Sequence, residues 1–476
     1  MKRFERLTFF FFIAYTLPVF ERQISNLGPQ NETPGENSTV LNANLTQPPR
    51  GSRKLSVFDT FCLGLNAIIG SGIFIFPGLL AKEVGPASIL AFAVCGLLLV
   101  FVALCYAELG SMFRQNGGCY VYAKEAFGPV VGFGIGWICW MTSVFCWAAV
   151  ANAVSSNLAY FHPVFNQPYV VKAVAAALIG GFTLLNYRGI KLGAWTGNFF
   201  TLAKLIPLLL FIAVGLFFIE PARYQPFWNP PTGSFSFAVF LSLWALQGFE
   251  VAALPSGESR QPQRAVPIAA VGSLLCATLL YVLIQAVAVG VHPGLASAGT
   301  KPLAEAATRF MGPFGGALMA LGAVSSMVGF NAGNALGCPR FLSALAQDRH
   351  LPPQLSAAHP RYDTPARAIL LTGLLTACAA LFLGFQSLVN LANLVVVVQY
   401  MATCAALIRL RRKQPNAPRL FKIPFGIPVA LVGCVVSLWL VKGVKVNEFR
   451  LAGLVIALGF VAMAISRIKR PEPTRG

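Results

Sequence analysis

From about residue 55 to residue 470 the chain alternates long apolar runs with short polar connections. The runs occupy 57–81, 86–109, 131–160, 169–187 and 194–219, then 235–254, 266–291, 314–337, 366–385, 388–408, 427–441 and 451–465. Most approach the ~20 apolar residues that carry a helix across a bilayer, and none shows the short alternating pattern of a barrel strand. The pattern predicts an all-α polytopic membrane protein with twelve transmembrane helices.

Two runs are interrupted where a membrane helix is least able to tolerate it. The first carries Ile68-Ile69-Gly70-Ser71-Gly72-Ile73-Phe74 at its middle, and the sixth carries Trp244-Ala245-Leu246-Gln247-Gly248-Phe249-Glu250. Glycine weakens a helix, and backbone groups freed in lipid must face protein, water or a ligand. The first motif alone fits two readings: a broken helix at a binding site, or a small-residue patch for close helix packing. Runs one and six hold matching positions in two five-span halves, and paired interruptions of this kind favour a site built on an inverted repeat. The N–H groups opening the second half of the first run would suit a carboxylate.

Composition agrees with the pattern: 56% of residues are hydrophobic, 11% are charged, and mean hydropathy is +0.67. A net charge of +20 would suit nucleic acid if it were concentrated, but the basic residues are scattered in short loops. With alternate loops assigned to opposite sides, twenty-three Lys and Arg fall on one side and seven on the other. The positive-inside rule then puts both ends of the bundle in the cytoplasm. The expected location is the cell membrane, with a bacterial inner membrane favoured. The tract 409–422 reads as a solvated cytoplasmic loop, with a lipid headgroup site as the alternative. Segment 339–359 reads as a short surface helix and a loop. Residues 1–50 read as a disordered extension, despite glycosylation sequons at Asn31, Asn37 and Asn44.

The eleven cysteines sit mainly inside apolar runs, without metal-ligand spacing. The four histidines lie in loops, and no phosphate loop or nucleophile elbow is present. No enzyme activity, metal or cofactor is expected.

Gly70-Ser71-Gly72-Ile73-Phe74, Ala107-Glu108-Leu109-Gly110, Gly117-Gly118-Cys119-Tyr120, Asn186-Tyr187-Arg188-Gly189, the 244–250 segment, Gly257-Glu258 and the 340–352 segment together resemble the amino acid–polyamine–organocation permeases. Departures at Arg114-Gln115-Asn116 and Gln261-Pro262 fall in connecting turns. The resemblance implies two inverted five-helix repeats, 51–220 and 221–412, followed by two helices and a tail over 413–476. It implies that a substrate α-carboxylate meets amides around Ser71, Gly72 and Ile73, and that its α-amine meets carbonyls near Trp244, Ala245 and Leu246. Ile68 and Gly248, which edge the two breaks, belong to the same candidate set. Trp244 resembles an aromatic gate, plain packing being the alternative.

Lys204 lies in the middle of the fifth run. A lysine at that depth can lose its proton, or its ammonium can stand where a sodium ion would, as in similar permeases; snorkelling or a structural strut is the alternative. Glu250 reads equally as a gate carboxylate or a helix cap. Asn334 and Ser326 are candidates for substrate or ion contact, or polar glue between helices. The expected function is secondary active transport of an amino acid by alternating access, proton-coupled or by exchange. A sodium-coupled carrier, or a sensor or channel that does not translocate, are the alternatives. The expected partners are a small amino acid, protons and the lipid bilayer, with no nucleic acid.

Overall fold

The computed structural model describes residues 56–113, 117–189, 194–228, 234–253, 261–443 and 446–468. The N-terminal extension, the Arg114–Asn116 departure and Gly257-Glu258 lie outside them. Among the described residues the chain is helical, with no strand. Ser56 begins α1 (Val57–Ile68) with a capping box: its hydroxyl accepts the Asp59 amide at 3.1 Å, and its own amide donates to the Asp59 carboxylate at 2.9 Å. Helix α2 (Gly72–Val84) follows, then α3 (Ser88–Met112). Gly117 and Gly118, both at positive φ, turn the chain into α4 (Cys119–Phe127), and Gly128 does the same before Pro129 opens α5 (Pro129–Leu158).

Helices α6 (Pro168–Tyr187), α7 (Ala194–Gly215) and α8 (Phe235–Leu246) come next, with a 3₁₀ turn at Phe249–Ala253. Beyond these lie α9 (Pro262–Pro267), which runs through a π turn into α10 (Ser273–Val291), and α11 (Pro302–Gln347), bent at Gly312 where φ is 65°. The chain closes with α12 (Ala366–Phe382), α13 (Phe385–Lys413), α14 (Gly426–Leu440) and α15 (Val446–Ile468). The eighth apolar run does not end before a separate surface helix: α11 continues through Pro339 to Gln347.

Among the described residues, seven helical stretches are long and apolar enough to cross a membrane, and five further apolar helices are shorter. Helix α5 is buried over most of its length and packs against α11 and α13 at the centre of the bundle. Large apolar side chains such as Leu209, Phe217, Leu279, Phe382 and Leu438 point outward, as expected of a lipid-facing surface.

The tract after α13 is not simply solvated. The fully buried carboxylate of Glu108, on α3, accepts from Arg411 Nε at 2.8 Å, from Arg411 Nη2 at 2.5 Å and from the Ile423 amide at 2.8 Å. Arg419 Nε stands 3.3 Å from the same group, and the Ser111 hydroxyl accepts the Phe421 amide. A buried carboxylate requires such partners, and they fold the loop onto the end of α3.

Candidate functional site

The interruption between α1 and α2 is short. Ile69 leaves helical geometry (ψ 82°), and Ser71 has already returned to it. The Gly70 amide turns back to the Ile68 carbonyl at 2.8 Å, and the Phe74 amide closes the first turn of α2 onto Ser71. Carbonyls at the end of α1 thus lose their intrahelical partners, while the first N–H groups of α2 have none. In α8 the break falls at Gln247, which is extended, and Gly248, at φ +122°.

The two breaks cross in close contact. A Cβ on Gly72 would lie 2.5 Å from the Ala245 Cα, and one on Gly248 would lie 2.7 Å from the Ala67 carbonyl carbon and oxygen. Only glycine permits both approaches, and Gly248 also needs glycine for its backbone angle. The Trp244 indole donates to the Ser71 hydroxyl at 3.4 Å and meets Phe385 edge-on.

Side chains from three helices complete the end of α1. Lys204, on α7 and only 4% exposed, donates from Nζ to the Asn66 carbonyl at 2.7 Å and the Ile69 carbonyl at 2.6 Å. Tyr281, on α10, donates to the Ile68 carbonyl at 3.1 Å, and Ser326, on α11, lies 3.3 Å from the carbonyls of both Ile69 and Gly70. The ammonium sits at the negative end of the α1 dipole. At the second break, by contrast, no side-chain donor among the described residues reaches the carbonyls of Trp244, Ala245 or Leu246.

Glu250 lies just beyond. Its carboxylate accepts the Gly248 amide at 2.9 Å, capping the 3₁₀ turn, and the Tyr400 hydroxyl from α13 at 3.0 Å. Phe249, Tyr106 and Tyr400 pack on one another edge-on or tilted. The structure therefore brings Ile68, Ser71, Gly72, Ile73, Lys204, Trp244, Ala245, Leu246, Gly248 and Glu250 to one crossing. Asn334 stands two turns beyond Ser326 along α11, with its amide donated to the Phe330 carbonyl of its own helix. Phe330 itself packs over Gly70. Tyr281 was not singled out from the sequence; its signal is the single aromatic residue in the apolar run 266–291.

An apolar helical bundle of this kind is a multi-pass membrane protein. The profile of the family described as "Amino acid permease" matches residues 55–465, and the chain belongs to that family. It is similar to the branched-chain amino acid permease BcaP of Bacillus subtilis, 31% identical over 85% of this chain and 92% of that one. It is also similar to the methylthioribose transporter of the same organism (29% identical; 82% and 87%) and to the mouse b(0,+)-type amino acid transporter 1 (28%; 88% and 91%).

Proposed function

We propose that this member of the amino acid permease family is a secondary active carrier of a small neutral amino acid, working by alternating access. In this reading twelve helices span the membrane and both ends of the bundle face the cytoplasm of a bacterial cell. The spans form two inverted repeats, 51–220 and 221–412, with two further helices and a tail over 413–476. The amides opening α2 take the substrate carboxylate, and the carbonyls ending α8 take its amine. Trp244 covers the bound molecule. Glu250 joins the second break to α13, and Asn334 faces the path of the substrate side chain.

The observation that carries this reading is the unequal finish of the two breaks. The chain supplies its own cation, Lys204, to the carbonyls of the first break and, among the described residues, gives those of the second no side-chain partner. A zwitterion bound across the crossing would complete both. The same ammonium occupies the place a coupling sodium would need, which favours proton coupling or exchange over sodium symport. A neutral side chain is favoured because Lys204 is taken up by the α1 carbonyls, and among the described residues no further basic group, and no acid other than Glu250, stands at the crossing. The named substrates of the Bacillus branched-chain relative agree with that choice.

Uptake of labelled leucine and alanine into proteoliposomes tests the reading. Accumulation driven by a proton gradient or by counterflow, unchanged when choline replaces sodium, is expected. Binding without counterflow would make the protein a sensor, and dependence on sodium would overturn the role of Lys204.

A further inference from the structure

A second feature lies away from the crossing. Where α11 ends, a groove of about 990 Å³ opens between α5, α12, α15 and the loop after α11. That size is at the upper end of small-molecule pockets, ~300–1,000 Å³. Its wall is apolar: Trp140 and Leu342 form the buried floor, while Leu371, Leu375 and Ile465 are partly exposed along the flank. In a bilayer that flank faces acyl chains rather than water. The polar lining residues are Arg349, Gln354 and Ser466, which stand where α11 and α15 finish, so the groove is polar at its mouth and apolar within.

Arg349 is in an unexpected conformation. The His350 amide bonds to the Leu345 carbonyl and the Arg349 amide to that of Ala346, closing α11 with a helix-ending turn in which Arg349 takes φ 60°. Glycine is the usual residue at this left-handed position, and any other residue is strained there. An exposed arginine held at the rim of an apolar groove, where glycine would relieve the backbone, points to a use for the guanidinium. At the end of a membrane helix the group that complements it is a phosphate in the headgroup layer.

We propose that this groove is a binding site for an anionic phospholipid, with an acyl chain lying along Leu371 and Leu375 and the phosphate at Arg349. The proposal requires only that the chain lies in a bilayer, and it stands or falls separately from the transport reading.

The test is native mass spectrometry of the purified full-length protein, incubated with equimolar phosphatidylglycerol and phosphatidylcholine. The wild type should retain phosphatidylglycerol in preference by about fivefold, which is what one cation near the surface contributes. Arg349→Gly, which relieves the backbone and keeps the fold, should lose that preference. Leu375→Trp, which fills the groove from its partly exposed flank, should lose the retained lipid altogether, with a thermal melt reporting whether it folds. Equal retention of the two lipids by the wild type, or a preference that survives Arg349→Gly, would overturn the proposal even if Leu375→Trp did not fold.

Discussion

At the break between α1 and α2 the loosened carbonyls are claimed by an ammonium and two hydroxyls from α7, α10 and α11. At the break in α8 the only side chain among the described residues that caps the backbone is Glu250, and it takes an amide rather than serving a carbonyl. Both interruptions rest on glycine and both lie in apolar runs, yet the carbonyls of one are held by the fold while, among the described residues, those of the other are left open. A freed backbone group in a membrane must be satisfied by something. The carbonyls of the first break are satisfied by the fold, and in our reading its amides and the carbonyls of the second break are left for a ligand.

The largest effect should come from forcing the crossing apart. Gly72→Val places a branched side chain against the Ala245 backbone, which a Cβ alone would approach to 2.5 Å. Overpacking of ~3 kcal/mol corresponds to a loss of uptake of about a hundredfold. Immunoblots of the membrane fraction should show unchanged insertion, and wild-type uptake in this variant would remove the crossing from the site.

Next is Lys204→Ala, which leaves the Asn66 and Ile69 carbonyls without their cation. Removal of a charged partner is worth ~1.5–3 kcal/mol, so accumulation should fall by at least about tenfold. Its dependence on external pH should flatten; a pH profile superimposable on the wild type would refute a role in proton coupling.

Tyr281→Phe and Ser326→Ala each remove a neutral hydrogen bond worth ~1 kcal/mol, roughly fivefold in transport rate. If either variant matched the wild type in initial-rate measurements, that hydroxyl would be packing rather than part of the first break.

The smallest change is expected where α4 meets the end of α11. Lys124 donates to Asp348 at 2.8 Å, and Tyr120 donates to the same carboxylate. Burial alone would raise the Asp348 carboxyl, but the bonds from Lys124 and Tyr120 outweigh it and hold it below the ordinary carboxylate range. A group lowered in this way stabilises the fold above its unfolded titration near ~3.9, and loses that contribution only as pH falls through the lower folded value. Thermal melts of wild type and Asp348→Asn should therefore run parallel from about pH 5 to 8 and converge only in stronger acid. With both partners partly exposed, Lys124→Met should cost less than ~1 kcal/mol.

The sequence made the breaks legible because glycine beside serine or glutamine in an apolar run violates the rules of a membrane helix locally. Lys204 was legible for the same reason, since a charge amid leucines needs a partner wherever the fold places it. The partner itself was not. Nothing near Lys204 in the chain indicates the Asn66 and Ile69 carbonyls, more than 130 residues away. The basic tract 409–422 looked solvated because Glu108, which buries Arg411, lies 303 residues earlier. Pro339 suggested a helix end that α11 does not take, since helices that pack together can absorb a proline.

Where Gly72 lies on Ala245 and Gly248 on Ala67, there is no room for even one methyl group between the interrupted helices. The floor of the crossing is therefore main chain, whose chemistry is the same whatever residues occupy it. Mutation can reshape the roof and walls, through Phe330 or Trp244, without altering that floor. In our reading of the site, a lineage that keeps its glycines can exchange one cargo for another while retaining the same grip on the part all amino acids share.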